Sequence, residues 1–310
     1  MTATGIHPLA PLANGVYRDE LVEVRAQWGA MPRRELHMVR TPHFDLTWVD
    51  HRVVVVHRVP ADGIDDDLSG LLADELFQPG WLRGGDLFEH LFAGIVLSSG
   101  PDPLVAWERF YRTTLERVAA AVGTAAPIDP AGGGSTTVGV HGTIADYAPV
   151  YAHVEAQLAP GTVLELGSCF GFLALRLAAA GRHVVATDIA AGTVDLLTAM
   201  APRLGVHLSA QVADAARVPV PDRSIDNVLA IHLLEHLDEA HGERVLAEAL
   251  RIARRRVVVA VPLEDEADTT WGHVRTITLD DLAGWGAATG LAHRVREHHG
   301  GWLVVDVAAS

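Results

Sequence analysis

Two patterns of apolar and polar residues follow one another along the chain. In the first 130 residues, two strand-like runs at 43–49 and 52–59 are separated only by Asp50 and His51, which predicts a hairpin. Apolar residues then recur at helical spacing over 65–77, 86–97 and 104–122. The N-terminal part is therefore predicted to be a small α+β domain.

From residue 143 onward, strand-like and helix-like segments alternate. The predicted strands cover 162–166, 183–187, 207–212, 225–231, 257–261, 292–296 and 302–307, and the predicted helices cover 172–180, 191–204, 239–251 and 279–289. Such alternation is typical of a parallel sheet with helices on both faces and ligands at the carboxyl ends of the strands. We expect an α/β, Rossmann-like sheet of seven strands.

The end of this sheet departs from the parallel pattern. Only residues 297–301 separate the last two predicted strands, which is too short for a parallel crossover. An antiparallel last strand follows, with His298 and His299 in a solvent-exposed turn.

A segment of small residues divides the two patterns. Residues 131–137 read Ala-Gly-Gly-Gly-Ser-Thr-Thr and follow Pro127 and Pro130, a composition typical of linkers. The predicted organisation is an N-terminal domain at 1–130, a Gly-rich linker at 131–142 and a second domain at 143–310.

Composition narrows the range of partners and compartments. The formal net charge of −15 disfavours nucleic acid and anionic membranes. Cys169 is the single cysteine, so no intrachain disulfide can form, and no segment approaches the roughly 20 apolar residues of a membrane span. We expect a cytoplasmic protein; the sequence leaves its oligomeric state open.

The sequence from Thr162 to Gly171, Thr-Val-Leu-Glu-Leu-Gly-Ser-Cys-Phe-Gly, is the strongest functional signal. It reads as a buried strand that turns at glycines into a helix, and Asp188 follows about 20 residues later, as in folds that bind adenosine-containing cofactors. Gly167 and Gly171 let a ligand approach the backbone, and Glu165 supplies negative charge. Asp188 can accept hydrogen bonds from both hydroxyls of a ribose.

These residues resemble the class I S-adenosylmethionine-dependent methyltransferases, over roughly residues 143 to 307. The family's first motif, an acid followed by Gly-x-Gly-x-Gly, matches Glu165 to Gly171 except that Cys169 replaces the middle glycine. The resemblance implies S-adenosylmethionine as cofactor and the following contact residues: Glu165, Gly167, Ser168, Cys169, Gly171, Asp188, Ile189, Asp214, Ala215, His232 and Tyr147. A nicotinamide-dependent oxidoreductase is less favoured, because its glycine pattern would fail at Cys169 and Phe172.

The segment 225–237 resembles the family's motif after the fourth strand, whose residues face the transferred methyl group. A hydroxyl acceptor must also lose its proton, a task suited to histidine. Three catalytic candidates compete: His232, His236 and His273. His232 and His236 are four residues apart and are expected to share a helical face. Some relatives bind a divalent metal through Glu-x-x-Glu-His here. Since His232 replaces the first Glu, Mg²⁺ is disfavoured; the sequence leaves a metal requirement open and assigns no metal ligand.

The whole layout, including Asp86-Leu-Phe-Glu-His-Leu-Phe92, resembles the actinobacterial mycofactocin oligosaccharide methyltransferases, and the absence of lysine agrees with a high-GC genome. This resemblance implies O-methylation of a glucose hydroxyl, with the aromatic-rich N-terminal domain as an acceptor-binding cap. The open alternatives are an O- or N-methyltransferase of another small molecule, the oxidoreductase, and a non-catalytic cofactor-binding protein.

Overall fold

The computed structural model describes residues 7–27, 38–124, 143–269 and 271–307. The chain divides into two compact units: Met1–Ala120 with Thr137–Ala145, and Ala121–Thr136 with Asp146–Ser310. The predicted linker at 131–142 lies outside the described residues. No helix in the described ranges is long and apolar enough to cross a membrane.

The first unit contains a five-stranded sheet in the order β1-β2-β5-β4-β3. Its strands are β1 (Val16–Arg18), β2 (Val22–Ala26), β3 (Val39–Arg40), β4 (Phe44–Val49) and β5 (Arg52–His57). The predicted hairpin is confirmed: β4 and β5 pair antiparallel. Asp50 makes the turn with φ +54°, a left-handed conformation that aspartate tolerates better than most residues.

Three helices complete this unit: α1 (Leu68–Leu72), continued by a π-helical turn at Ala73–Phe77, α2 (Gly85–Ser98) and α3 (Pro103–Thr124). All three lie where the periodicity predicts them. Trp107, Phe110 and Tyr111 of α3 are at most 1% exposed, with rings packed edge to face. These aromatic side chains therefore belong to the core, whereas Trp48 and Trp81 remain about half exposed (47% and 49%).

From Asp146 onward, the second unit contains the rest of α4 (Thr143–Gln157) and then alternates strands and helices. The elements are β6 (Val163–Leu166), α5 (Phe172–Ala179), β7 (Val184–Asp188), α6 (Ala191–Arg203), β8 (Ser209–Val212), β9 (Ile225–Ile231), α7 (Glu239–Ile252), β10 (Ala253–Val261), α8 (Leu279–Ala288), β11 (Ala292–Glu297) and β12 (Gly301–Asp306). The seven strands form one sheet in the order β11-β12-β10-β9-β6-β7-β8. The expected doubly wound fold is confirmed.

The register of this sheet places the ends of the parallel strands at one edge. Leu166 of β6 pairs with Thr187 of β7 on one side and with Ala230 of β9 on the other, and Ile231 pairs with Ala260 of β10. β12 pairs antiparallel with both β10 and β11, as predicted. The loops that leave β6, β7, β9 and β10 therefore start side by side.

The final hairpin differs from the prediction in one respect. His299 is exposed as expected, but the His298 ring is only partly exposed, with its centroid 4.5 Å from that of His153 on α4. Trp302 Nε1 donates to the His298 carbonyl oxygen at 2.7 Å. Because the turn folds back onto α4, His298 packs as part of the unit.

Candidate active site

The loop after β6 turns sharply through three left-handed residues. Gly167, Cys169 and Gly171 have φ values of +66°, +48° and +75°. The Ser168 N–H donates to the Thr187 carbonyl oxygen at 2.9 Å, and the Gly171 N–H donates to the Ser168 carbonyl oxygen at 2.7 Å. The loop is thus tied to the end of β7 and enters α5 directly after Gly171.

The two glycines are required by space as well as by backbone conformation. A Cβ on Gly171 would lie 2.6 Å from Leu197 Cδ2, and one on Gly167 would lie 2.7 Å from Leu233 Cδ1. Leu233 directly follows His232, so the glycine loop contacts the segment that carries the candidate histidines. Cys169 occupies the position where the related motif has glycine, and it does so in a conformation that usually favours glycine.

Glu165 is a buried acid beneath this loop. Its side chain is 5% exposed, and its Oε2 has no hydrogen-bond partner among the described residues. Burial raises the pKa of Glu165 to about 8, with the nearby Asp188 charge acting in the same direction, while a hydrogen bond from the Ala174 N–H opposes the shift. A carboxylate oxygen without a partner suits a cationic ligand group.

Asp188, at the end of β7, holds the glycine loop. Its Oδ2 accepts from the Cys169 N–H at 2.8 Å and its Oδ1 accepts from the Ala190 N–H at 2.9 Å. The neighbouring Ile189 side chain is 69% exposed at the same sheet edge. An acid at the edge and an exposed apolar side chain beside it provide two different contacts for a nucleoside.

Asp214 and Ala215 follow β8. Asp214 Oδ1 accepts from the Ala216 N–H at 2.9 Å and lies 2.9 Å from His241 Nε2. The Ala216 N–H and His241 together lower the pKa of Asp214. Asp214 is therefore ionised at neutral pH. The hydrogen bond from the Ala216 N–H holds the turn in which it lies.

Tyr147 lies on α4 and reaches the end of β9. Its ring centroid is 5.4 Å from that of His232 and 5.8 Å from that of Tyr151, one helical turn further along. The two tyrosines therefore share one face of α4. The contact places Tyr147 beside a candidate catalytic residue.

The predicted helical face shared by His232 and His236 is wrong. His232 has φ +50° directly after β9, and only Leu234–His236 form a single 3₁₀ turn. The left-handed residue redirects the chain, so the His232 ring packs on Tyr147, whereas His236 packs on His273 with ring centroids 4.9 Å apart. Burial lowers the pKa of His232 to about 4, so its imidazole is neutral at pH 7.

One cluster of side chains consists of His236, His273 and Glu235. One ligand atom from each lies within 4.8 Å of those from the other two. Glu235 is 1% exposed, and burial raises the pKa of its carboxyl group to about 8, with nearby Glu264 adding to the shift. His273 Nδ1 lies 2.8 Å from Glu264 Oε2. The structure thus brings two of the three predicted histidines together with two acids.

The sequence patterns identify neither Glu235 nor Glu264 as a candidate site residue. Glu264 follows β10, a position that topology alone places at the ligand-binding edge. Its pairing with His273, nine residues later, depends on an irregular loop with no periodic signal. Arg275 was also missed; its Nε donates to the Leu234 carbonyl oxygen at 3.1 Å.

Comparisons with known proteins match the part of the chain that contains this sheet edge. Residues 163–256 match a family model described as a methyltransferase domain. A Mycobacterium tuberculosis protein named as a probable S-adenosylmethionine-dependent methyltransferase is 33% identical over 103 residues, which cover 33% of this chain and 36% of the relative. The chain thus spans little more than a third of the length of that curated relative.

Solved structures with similar chains include two methyltransferases. An S-adenosylmethionine-dependent methyltransferase from Aquifex aeolicus is 17% identical, covers 51% of this chain and 89% of its own, and has a TM-score of 0.44. One from Methanosarcina mazei is 16% identical, covers 50% and 96%, and has a TM-score of 0.43.

The matched segment contains the glycine loop, Asp188, Asp214 and the histidines at 232 and 236. Residues 163–256 of the second unit therefore match a methyltransferase domain, and the similar curated protein is named as S-adenosylmethionine-dependent. These matches support the methyltransferase class implied by the sequence. The oxidoreductase alternative finds no support in these matches.

Replacing Gly171 with alanine tests the glycine loop. The new Cβ would meet Leu197, which is 1% exposed and enclosed by the core. We expect a loss of about 1–2 kcal/mol for the left-handed backbone and a further loss of about 1–3 kcal/mol for overpacking, with weaker cofactor binding.

Gly205→Ala is the matched control for Gly171→Ala. Gly205 has φ +73°, and a Cβ added there would meet no atom within 4 Å, so this variant carries the backbone cost alone. Urea unfolding and calorimetric titration with S-adenosylmethionine measure both variants. Equal destabilisation of the two would contradict the crowding argument.

Proposed function

We propose that this protein is an O-methyltransferase that methylates a glucose hydroxyl of the mycofactocin oligosaccharide. The observation that carries the reaction type is the cluster of Glu235, His236 and His273 beside the cofactor loop. Leu233 connects the two, since it lies against Gly167 and precedes this cluster by two residues. This contact supports a proton-accepting role for the cluster beside the loop that would hold the methyl donor.

The chain's residues fit the cofactor. Glu165 offers an unpartnered carboxylate oxygen that suits the methionine ammonium group. Asp188 suits the ribose hydroxyls, and Ile189 offers an apolar surface to the adenine. Asp214 suits the adenine amino group. Ser168, Cys169, Ala215, Tyr147 and His232 complete the proposed contact set.

The residues that would face the acceptor then need only accept the proton of the acceptor hydroxyl. When bound, S-adenosylmethionine supplies a methyl group on a sulfonium sulfur, which passes to the acceptor oxygen and leaves S-adenosylhomocysteine. The cluster of Glu235, His236 and His273 receives the acceptor's proton as the oxygen becomes nucleophilic. Glu264 holds His273 in place through Nδ1, which leaves the lone pair on Nε2.

The glycan assignment rests on the layout of the whole chain. The N-terminal segment with Asp86 to Phe92, joined to this methyltransferase domain, resembles the mycofactocin oligosaccharide methyltransferases. A sugar hydroxyl is a weak acid, so it benefits from a dedicated proton-accepting cluster more than a phenol or a carboxylate does. This chemistry favours the glycan over the other small-molecule acceptors.

Asp188→Ala should weaken cofactor binding. Removal of two hydrogen bonds to the ribose costs about 1–3 kcal/mol, which corresponds to roughly 5- to 150-fold in Kd. Asp195→Ala on α6, which removes an exposed acid from the same unit, is the control and should leave Kd unchanged. Calorimetric titration with S-adenosylmethionine measures all three proteins, and an unchanged Kd for Asp188→Ala would refute the ribose contact.

Alanine variants of His236 and His273 should lose turnover by about 100-fold or more while retaining cofactor affinity. We expect a smaller loss for His232→Ala, because its ring packs against Tyr147 and it approaches the cluster only at Glu235, 3.5 Å from its Nδ1. His207→Ala, an exposed histidine of the same unit, is the control. If the alanine variants of His232, His236 and His273 all retain full turnover, the mechanism is wrong.

Mass spectrometry of glucosylated mycofactocin, incubated with the purified protein and S-adenosylmethionine, tests the acceptor. We expect a gain of one methyl group on a hexose that depends on the cofactor. A sample without S-adenosylmethionine and one with Asp188→Ala serve as controls. If no methyl is gained while calorimetry shows cofactor binding, the glycan assignment fails and another small-molecule acceptor takes its place.

A further inference from the structure

We propose that Glu235, His236 and His273 bind a divalent transition-metal ion. The inference deepens the proposed function, since the ion would also hold the acceptor hydroxyl, but the evidence for it is a set of contacts within the second unit alone. Among the described residues, this is the group of histidine and acidic side chains whose ligand atoms come within 4.8 Å of one another.

The first observation is the state of the Glu235 side chain. It is 1% exposed, and neither carboxylate oxygen has a hydrogen-bond partner in the described part of the chain. Its nearest basic contact is His232 Nδ1, 3.5 Å from Oε1. A buried carboxylate that the protein leaves unsatisfied costs folding free energy, which a cation bound at that position recovers.

The second observation is the orientation of the two histidines. His273 Nδ1 contacts the Glu264 carboxylate at 2.8 Å, and His236 Nδ1 contacts the Gly272 carbonyl oxygen at 3.3 Å. Both acceptors select the tautomer with the proton on Nδ1 and leave the lone pair on Nε2. A carboxylate or a carbonyl behind each imidazole is the usual arrangement around metal-binding histidines.

The donor set indicates the class of ion. Two imidazoles and one carboxylate suit Mn²⁺, Fe²⁺, Co²⁺ or Zn²⁺, whereas Mg²⁺ prefers oxygen ligands. Ligand distances of about 2.0–2.2 Å require the three atoms to lie within about 4.4 Å of one another, so a small side-chain rotation completes the site. Three protein ligands leave coordination positions open, and a hydroxyl bound there becomes more acidic and can lose its proton to water. With the ion bound, the two imidazoles act as ligands and no longer need to accept that proton.

Local charge supports a dication. Glu235 and Glu264 bring two acids to the cluster, and Arg275 is the basic side chain whose charge acts on Glu235. Arg275 Nη2 is itself buried without a hydrogen-bond partner among the described residues, so the two groups do not form a closed pair. With both acids ionised, the two carboxylates outnumber the one guanidinium, and the net negative charge favours a bound cation.

The test uses the whole 310-residue chain without an affinity tag, freed of metal with a chelator. Titration with Co²⁺ should produce visible ligand-field absorption that saturates at one equivalent, and calorimetry should show Mn²⁺ binding more tightly than Mg²⁺. Co²⁺ affinity should fall about tenfold or more in Glu264→Gln, which keeps all three ligands, and further in Glu235→Gln and His273→Ala. His207→Ala should bind as the unmodified protein does.

Absence of saturable binding near one equivalent, equal Co²⁺ affinity in Glu235→Gln and the unmodified protein, or tighter binding of Mg²⁺ than Mn²⁺ would overturn the inference. Circular dichroism confirms that each variant folds, and Glu264→Gln provides the test if a ligand variant does not. Methyl transfer without ion binding would overturn this inference alone. Ion binding without transfer to any hydroxyl acceptor would overturn the proposed function alone.

Discussion

The site depends on the parallel pairing of β6 with its two neighbours. β6 lies between β7 and β9, and its register brings Leu166 level with Thr187 and Ala230. A shift of one residue would turn the buried Glu165 to the opposite face of the sheet and separate the glycine loop from Asp188. Because the carboxyl ends of these parallel strands lie level, segments far apart in the sequence meet at one edge of the sheet.

Two acidic side chains buried at this edge of the sheet destabilise the folded state. Glu165 and Glu235 are each at most 5% exposed, and burial raises the pKa of both carboxyl groups to about 8. Packing alone would favour apolar side chains at both positions, since a buried carboxyl group without a partner is destabilising. Their retention is understood most simply if each has a positively charged ligand group in the working protein. On that view, stability and function are coupled at the same two residues.

Much of the fold could be predicted from the sequence, because periodic patterns determine it. The seven strands of the second unit and the hairpin in the first were predicted within a few residues, and Gly167, Gly171 and Asp188 were predicted together at the sheet edge. The arrangement of the histidines was not predicted, because the left-handed conformation of His232 interrupts the helical spacing that their positions suggest. The contact between His273 and Glu264 was unpredictable for a related reason: it forms across a loop in which neither periodicity nor a turn motif fixes direction.

Cys169 shows why the motif can tolerate a departure from glycine. A non-glycine residue with φ +48° carries a backbone cost that glycine avoids. The Cys169 N–H, however, donates to Asp188 Oδ2 at 2.8 Å, and the other oxygen of the same carboxylate holds the turn at Ala190. Asp188 therefore stabilises the loop through its acceptor atoms, whatever side chain stands at position 169. Since a ribose would share this carboxylate, cofactor binding and the order of the glycine loop depend on the same side chain.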